Sequence, residues 1–187
     1  MIDTAYGPLV LNLARQAIAG SLGLPCHPPE LPAALQVSGA SFVTLKRQGA
    51  LRGCIGSLEP HRPLADDIHH NAIGAAHRDP RFPPLSLEEW PDTTVEVSIL
   101  TPAEPMFVTD EMDLLRKLRP GVDGVTLSYR DHQATFLPQV WEQLPEPVEF
   151  IHQLKRKAGW SMDFWSDQLM VFRYQVQKFA DPARNRG

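Results

Sequence analysis

The sequence predicts an α/β protein in which helices pack on a largely antiparallel sheet. Segments with apolar residues at every third or fourth position alternate along the chain with shorter segments of period two. Several of the period-two segments follow each other across short turns, which makes them antiparallel neighbours. The chain has 187 residues, of which 43% are hydrophobic and 21% charged, a balance typical of soluble globular proteins.

The individual helices and strands are predicted from the spacing of apolar residues. Leu9, Leu13 and Ala17 form the apolar stripe of the first helix, and Pro147 suits the first position of the last one. The strand signal is clearest in TTVEVSIL at 93–100, where alternate residues are apolar. We predict helices over about 4–19, 64–76, 110–118 and 147–158, and strands over 41–47, 51–58, 93–100, 121–129, 134–137 and 169–179.

Composition limits the classes of function. The chain carries 18 Lys and Arg against 22 Asp and Glu, and the resulting net charge of −4 argues against a dedicated nucleic-acid binder. Its two cysteines are too few for a disulfide framework, so we expect reduced thiols in a cytoplasmic protein. The sequence contains no run of 18 apolar residues, so it predicts no membrane-spanning segment. The sequence contains none of the common nucleotide, serine-hydrolase or zinc-protease motifs, and it indicates no particular cofactor.

The segment LRGCIG at 51–56 is the densest candidate for chemistry. In a strand, Arg52 and Cys54 would share a face about 7 Å apart, and a guanidinium beside a thiol favours the thiolate. Gly53 and Gly56 indicate a bulge, or a place where a ligand or another backbone comes close. Two interpretations stay open. Cys54 is a reactive or ligating thiol in a basic groove, or it is a small buried hydrophobe while Arg52 pairs with a carboxylate.

Histidines cluster in the predicted helix over 64–76. Asp66, His69 and His70 have the spacing of residues that share one helix face and that could hold a metal ion. No further cysteine or histidine pattern completes such a site. We therefore interpret this face as solvated and predict no metal site.

Two further segments offer polar groups in stiff turns. Asp79 and Arg81 flank Pro80, and they either bind an anion or staple the turn as an ion pair. Gln139 follows a predicted strand, where its amide either contacts a ligand or packs within the loop. Both alternatives remain open for each segment.

The order and spacing of these motifs resemble those of the AMMECR domain family, whose prokaryotic branch is called AmmeMemoRadiSam system protein A. The segments that carry the resemblance are FVTLKRQGALRGCIGSLEPHRPLADDI at 42–68, DPRFPPL at 79–85, VEVSIL at 95–100, FLPQVWEQLP at 136–145 and KAG at 157–159. The resemblance extends nearly from end to end. It implies a single domain over 1–179, followed by a polar tail over 180–187. It also implies a larger and a smaller lobe in one compact unit.

The resemblance also selects the candidate site residues and partners. The family name implies action together with a Memo-type protein and a radical S-adenosylmethionine protein. The positions that match the family motifs are Cys54 and Arg52 as catalytic candidates, and Gly53, Gly56, Asn71, Asp79, Arg81 and Gln139 as candidates for ligand binding.

Three functional hypotheses follow. In the first, the protein is an enzyme in which Cys54 is the nucleophile or ligating thiol and Arg52 stabilises its thiolate or binds a substrate anion. In the second, it is a non-catalytic binding or adaptor module that docks the two implied partners. In the third and weakest, it takes part in RNA modification and contacts RNA through short basic runs, against which its net charge argues.

Overall fold

The chain folds into two units, each built on its own sheet. A computed structural model describes residues 1–182, and the remainder of the predicted polar tail, 183–187, lies outside the described residues. The larger unit is Met1–Leu100 together with the described residues from Gln177 onward, and the smaller unit is Thr101–Val176. Both sheets contain antiparallel strand pairs and helices pack against them, so the predicted fold class is confirmed.

The observed elements follow the predicted order closely. Each of the four predicted helices is present, with ends that differ by at most three residues from the prediction. The helices are α1 (Gly7–Ser21), α2 (Leu64–His77), α3 (Glu111–Lys117) and α4 (Pro147–Lys157). The strands are β1 (Ser38–Arg47), β2 (Ala50–Gly56), β3 (Arg62–Pro63), β4 (Thr93–Leu100), β5 (Glu104–Pro105), β6 (Gly124–Tyr129), β7 (His132–Phe136), β8 (Met170–Tyr174) and β9 (Val176–Ala180).

The larger unit buries one face of its sheet under α1 and α2. Its strands lie in the order β2-β1-β4-β9, and β3 pairs with the beginning of β1. Alternate residues of β4, from Val95 through Val97 to Ile99, are buried, and Ile68 and Ala72 of α2 are completely buried. The other face of the sheet carries the polar alternate residues of the same strands.

The smaller unit has a four-stranded sheet in the order β5-β8-β6-β7. Its core contains Leu114 of α3, Leu127 of β6 and Phe150 of α4, all fully buried. Trp141 stacks on Phe150 with ring centroids 3.7 Å apart. Its indole nitrogen donates to the carbonyl of Asp123 at 2.7 Å, so this buried polar group is satisfied.

The prediction of one long strand over 169–179 is wrong. The structure has two strands there, and β8 belongs to the sheet of the smaller unit whereas β9 belongs to that of the larger one. The strand is interrupted at Gln175. The amide of Gln175 donates to Thr101 Oγ1, and its carbonyl accepts a hydrogen bond from the amide of Thr101. Because the alternation of apolar residues continues through Gln175, the sequence carries no sign of this break.

The predicted tail is ordered at its beginning. Ala180 is the last residue of β9, and the Asp181 carboxylate pairs with Arg15 and accepts a hydrogen bond from the amide of Val95 at 2.9 Å.

A glycine fixes where β2 lies against α2. A Cβ atom on Gly53 would lie 2.1 Å from the backbone carbonyl oxygen of Ala75. Because this neighbour is backbone, it moves only if the helix moves. Gly53 therefore sets the position of the whole LRGCIG strand.

We predict that Gly53→Ala lowers the free energy of unfolding by about 3 kcal/mol, because the added methyl group overpacks the β2–α2 contact. Urea denaturation measures the effect. Ala50→Ser, at an exposed position of the same strand, is the control and should change the free energy by no more than about 0.5 kcal/mol. Equal stability of Gly53→Ala and the wild type would contradict the close approach.

Candidate functional site

A β-bulge interrupts the LRGCIG strand at Arg52. Gly53 and Leu51 pair with consecutive residues of β1, so Arg52 between them has no partner there. Because of this extra residue, Leu51 rather than Arg52 lies on the face that carries Cys54. The prediction that the side chains of Arg52 and Cys54 share a face is therefore wrong.

Arg52 holds a neighbouring turn. Its side chain is 10% exposed, and its Nε and Nη2 donate to the two carboxylate oxygens of Glu89 at 2.9 and 2.8 Å. Nη2 also donates to the carbonyl of Pro83 at 3.0 Å. The hydrogen bonds from Arg52 lower the pKa of Glu89 to about 2, with a further contribution from the charge of Arg47. Of the two open interpretations, the pairing of Arg52 with a carboxylate is the one observed.

Cys54 lies on the sheet face opposite the helices and is partly exposed. The hydroxyl of Thr44, its partner on β1, donates to Sγ at 3.2 Å. Its own amide donates to Asp79 Oδ2 at 2.9 Å. Within residues 1–182, no carboxylate or imidazole forms a hydrogen bond with the sulfur. The structure therefore provides a hydroxyl donor for the thiol but no bonded general base.

The two histidines nearest in sequence have other partners. His61 is exposed and lies 3.6 Å from the carboxylate of Glu59. His77 Nε2 lies 2.8 Å from Ser21 Oγ, and because that hydroxyl donates to a backbone carbonyl, the imidazole is the donor in this pair. Burial and the charge of Arg78 lower the pKa of His77.

Asp79 and Arg81 form an ion pair within their turn, which is one of the two alternatives that the sequence left open. Arg81 Nε and Nη2 donate to the two oxygens of Asp79 at 3.0 and 2.7 Å. These bonds, together with the amides of Arg81 and Cys54, hold the pKa of the buried Asp79 carboxyl well below its usual range. The Arg81 side chain is 56% exposed, and its pKa is raised chiefly by Asp79, with a smaller contribution from Cys54. Arg81 thus shares the Asp79 carboxylate with the amide of Cys54, whereas Arg52 bonds to Glu89.

None of the remaining candidates forms a hydrogen bond with Cys54, Asp79 or Arg81 within residues 1–182. Asn71 is 2% exposed, and its amide donates to the carbonyl of Ser41 and to the buried carboxylate of Asp67 at 3.0 and 2.9 Å. Gly56 lies under the ring of Phe42, whose nearest atom would be 2.2 Å from an added Cβ. Gln139 is exposed in a 3-10 helix of the smaller unit.

The structure brings together Cys54, Asp79 and Arg81 and places Arg52 and Gly53 beside them in the same strand. Both glycines of LRGCIG are explained by close approach of the chain's own atoms, which is one of the alternatives that the sequence left open. Sequence reasoning missed Thr44 and Glu89. Thr44 could have been identified as a neighbour of Cys54 only if the register of the hairpin had been known. No feature of the sequence around Glu89 indicates that it pairs with Arg52.

Residues 1–182 contain no group of three or more His, Cys, Asp or Glu side chains placed to hold a metal ion. His69 and His70 are exposed on α2. Among the described residues, we find no helix that combines the length and apolarity needed to cross a membrane.

The two antiparallel sheets and the helices packed against them define a mixed α/β protein. The chain belongs to the AMMECR1 family, whose model matches residues 11–179, so the resemblance seen in the sequence is confirmed.

Archaeal relatives are similar over almost the whole chain. A protein of Methanothermobacter thermautotrophicus is 40% identical, with 92% of this chain and 93% of the relative covered, and one of Thermofilum pendens is 36% identical, with 96% and 92% covered. The crystal structure of uncharacterized protein PH0010 from Pyrococcus horikoshii is similar with a TM-score of 0.80 and 36% identity, covering 96% of this chain and 93% of that one.

We predict that Glu89→Gln lowers the free energy of unfolding at pH 7 by about 3 kcal/mol, because it leaves the buried Arg52 guanidinium without its counter-charge. The pKa of Glu89 is depressed in the folded state, so its contribution is fully present above about pH 4.5 and is lost as the pH falls through about 2. The difference between wild type and variant should therefore shrink over that window.

Urea denaturation at a series of pH values measures this difference. Glu88→Gln, at the exposed neighbouring position, is the control and should stay close to the wild type. A difference between wild type and Glu89→Gln that does not depend on pH would contradict the pairing.

Proposed function

We propose that this protein is a thiol-dependent enzyme that works in the cytoplasm with a Memo-type protein and a radical S-adenosylmethionine protein. In this proposal Cys54 is the nucleophile or ligating thiol, and Arg81 binds an anionic group of the substrate. Arg52 is a positioning residue that holds the neighbouring turn through Glu89.

One observation carries the proposal. The same oxygen of Asp79 accepts hydrogen bonds from the amide of Cys54 and from Nη2 of Arg81, at 2.9 and 2.7 Å. A single carboxylate therefore binds the backbone of the residue that carries a partly exposed thiol and, at the same time, a largely exposed guanidinium. The remaining guanidinium nitrogen of Arg81, Nη1, forms no hydrogen bond within residues 1–182, which leaves it available to an anion.

The local charges favour anionic reagents at the thiol. Arg81 attracts negative charge approaching Cys54, and the Thr44 hydroxyl donates toward the sulfur. A neutral and an anionic alkylating reagent that attack the same thiolate differ in their response to this field. The ratio of their rates is therefore independent of how much of the thiol is ionised or exposed.

We predict that Cys54, measured in a Cys26→Ser background, has an iodoacetate-to-iodoacetamide rate ratio about threefold higher than Cys26, measured in Cys54→Ser. Arg81→Gln should lower the ratio at Cys54 to that of Cys26 or below, because it removes the cation and leaves the Asp79 carboxylate facing the thiol. Mass spectrometry of the labelled peptides measures both rates.

Arg116→Gln is the matched control, because Arg116 is a highly exposed arginine in the smaller unit, and it should leave the ratio unchanged. The proposal fails if Arg81→Gln leaves the ratio at Cys54 unchanged, or if Cys54 is labelled only after denaturation.

A second candidate function is a non-catalytic adaptor, and the hydrogen bonds of the LRGCIG strand favour it. Arg52 and Asp79 are committed to contacts within the chain, and no base is bonded to Cys54 Sγ in residues 1–182. A strand held by this many contacts can serve as part of a preformed docking surface. The nearby Arg81 supplies an exposed positive charge on that surface. The two candidates differ in whether the thiol itself is needed.

For the adaptor we predict that Arg81→Glu weakens capture of the purified Memo-type or radical S-adenosylmethionine partner by at least about tenfold, since it reverses an exposed interfacial charge. Cys54→Ser should retain capture. Arg116→Glu is the charge-matched control and should bind like the wild type. Unchanged binding of Arg81→Glu would exclude this surface as the docking site.

The structure offers little for the RNA hypothesis. Lys155 is fully buried against Glu111, Lys117 pairs with Asp113, and Arg119 pairs with Asp123. Much of the positive charge in these short basic runs is therefore neutralised within the chain, and we do not propose RNA as the substrate.

A further inference from the structure

A partly open cavity of about 200 Å³ lies at the surface of the larger unit, apart from the residues of the proposed thiol site. It is bounded by α1, by α2 and by the proline-rich loop that follows α1. Its apolar wall consists of Leu13, Ala17 and Gly20 of α1, Ile73 of α2, and Pro28 and Pro29 of the loop.

The loop that covers the cavity is held in place. The amide of Leu24 donates to the carbonyl of Ala19 at 2.9 Å, and the amide of His27 donates to Gln16 Oε1 at 2.7 Å. The Cys26 sulfur rests on the end of α1, where a Cβ on Gly20 would lie 3.1 Å from it. Prolines stiffen the same loop, so the cavity is formed before any molecule enters it.

Two exposed polar side chains in the wall have no hydrogen-bond partner among residues 1–182. The Cys26 thiol and the His69 imidazole both line the cavity, and neither forms a hydrogen bond with another side chain or backbone group of residues 1–182. Ser21 also lines it, but its hydroxyl already bonds to the carbonyl of Ile18 and to His77. A molecule in the cavity can therefore gain a hydrogen bond from the imidazole without breaking one in the chain.

The wall also offers no ion pair to a charged ligand. None of the residues that line the cavity is an aspartate, glutamate, lysine or arginine, so nothing there offsets the cost of removing a charged group from water. A cavity of about 150 Å³ with an apolar wall accepts benzene, so this one accommodates a slightly larger molecule.

We propose that this cavity binds a compact, uncharged, mostly apolar molecule of about ten non-hydrogen atoms that carries one hydrogen-bonding group. His69 binds the polar group of the ligand, and Cys26 packs against its apolar part. This site is independent of Cys54, so its test does not depend on the function proposed for the thiol.

Indole is a suitable probe because it is apolar and uncharged and has one N–H group. In ¹H–¹⁵N spectra we expect saturable shifts at the amides of Ser21, Cys26, His69 and Ile73. Indole-2-carboxylate should bind at least about fivefold more weakly, because it carries a charge. In Cys54→Ser, saturating indole should slow maleimide labelling of Cys26 at least about threefold, because it covers the thiol.

Variants distinguish binding in the cavity from binding elsewhere on the surface. Cys26→Phe should fill the space and weaken indole binding at least about tenfold, whereas Cys26→Ser keeps the space and should bind within about threefold of the wild type. His69→Phe should weaken binding about fivefold through loss of the hydrogen bond. His61→Phe, at another exposed histidine of the same unit, should have no effect.

The proposal is overturned if indole at its solubility limit causes no localised shifts. It is equally overturned if Cys26→Phe binds indole as well as Cys26→Ser does.

Discussion

One extra residue in β2 determines what the LRGCIG segment can do. The turn between β1 and β2 is formed by Gln48 and Gly49, which both have positive φ angles, and it pairs Arg47 with Ala50. A regular two-residue hairpin would then place Cys54 opposite Val43, on the face covered by the helices. The bulge at Arg52 shifts the pairing by one residue and places Cys54 opposite Thr44. The thiol consequently lies on the face away from the helices.

Contacts on both sides of the bulge stabilise it. Gly53 comes so close to the backbone of α2 that no other residue fits without movement of the helix. Arg52 bonds to Glu89 and to the carbonyl of Pro83, which ties the extra residue to the turn that follows α2. The amide of Cys54, which lies at the free edge of the sheet, is satisfied by Asp79. Gly53, Arg52 and the amide of Cys54 therefore each have a structural role that can be stated without any ligand.

The sequence predicts elements well where one periodicity operates alone, as in TTVEVSIL, whose predicted and observed strand bounds agree. It fails where a long-range contact chooses between two local arrangements. The alternation of side chains predicts a strand through Arg52 but not the β-bulge at that residue. The bulge depends on contacts with Ala75 and Glu89, which are distant in sequence. The break at Gln175 is invisible for the same reason, since its partner is Thr101. The candidate residues Cys54, Asp79 and Arg81 could be identified, but not which guanidinium accompanies the thiol.

The two arginine–carboxylate pairs near Cys54 differ in which partner is exposed to solvent. This difference distinguishes the pair that stabilises the fold from the pair that can meet a ligand. In the Arg52–Glu89 pair the guanidinium is buried, so removal of either partner leaves a charge or a donor stranded away from water. In the Asp79–Arg81 pair the carboxylate is buried and the guanidinium is exposed, so the positive end of the pair faces solvent. An anion that approaches Arg81 meets a cation already oriented by two hydrogen bonds, and the same carboxylate also accepts a hydrogen bond from the backbone amide of Cys54. Preorganisation of this kind lowers the cost of binding whether the anion belongs to a substrate or to a partner protein. The site is therefore better described by its charge and its thiol than by the LRGCIG segment as a whole.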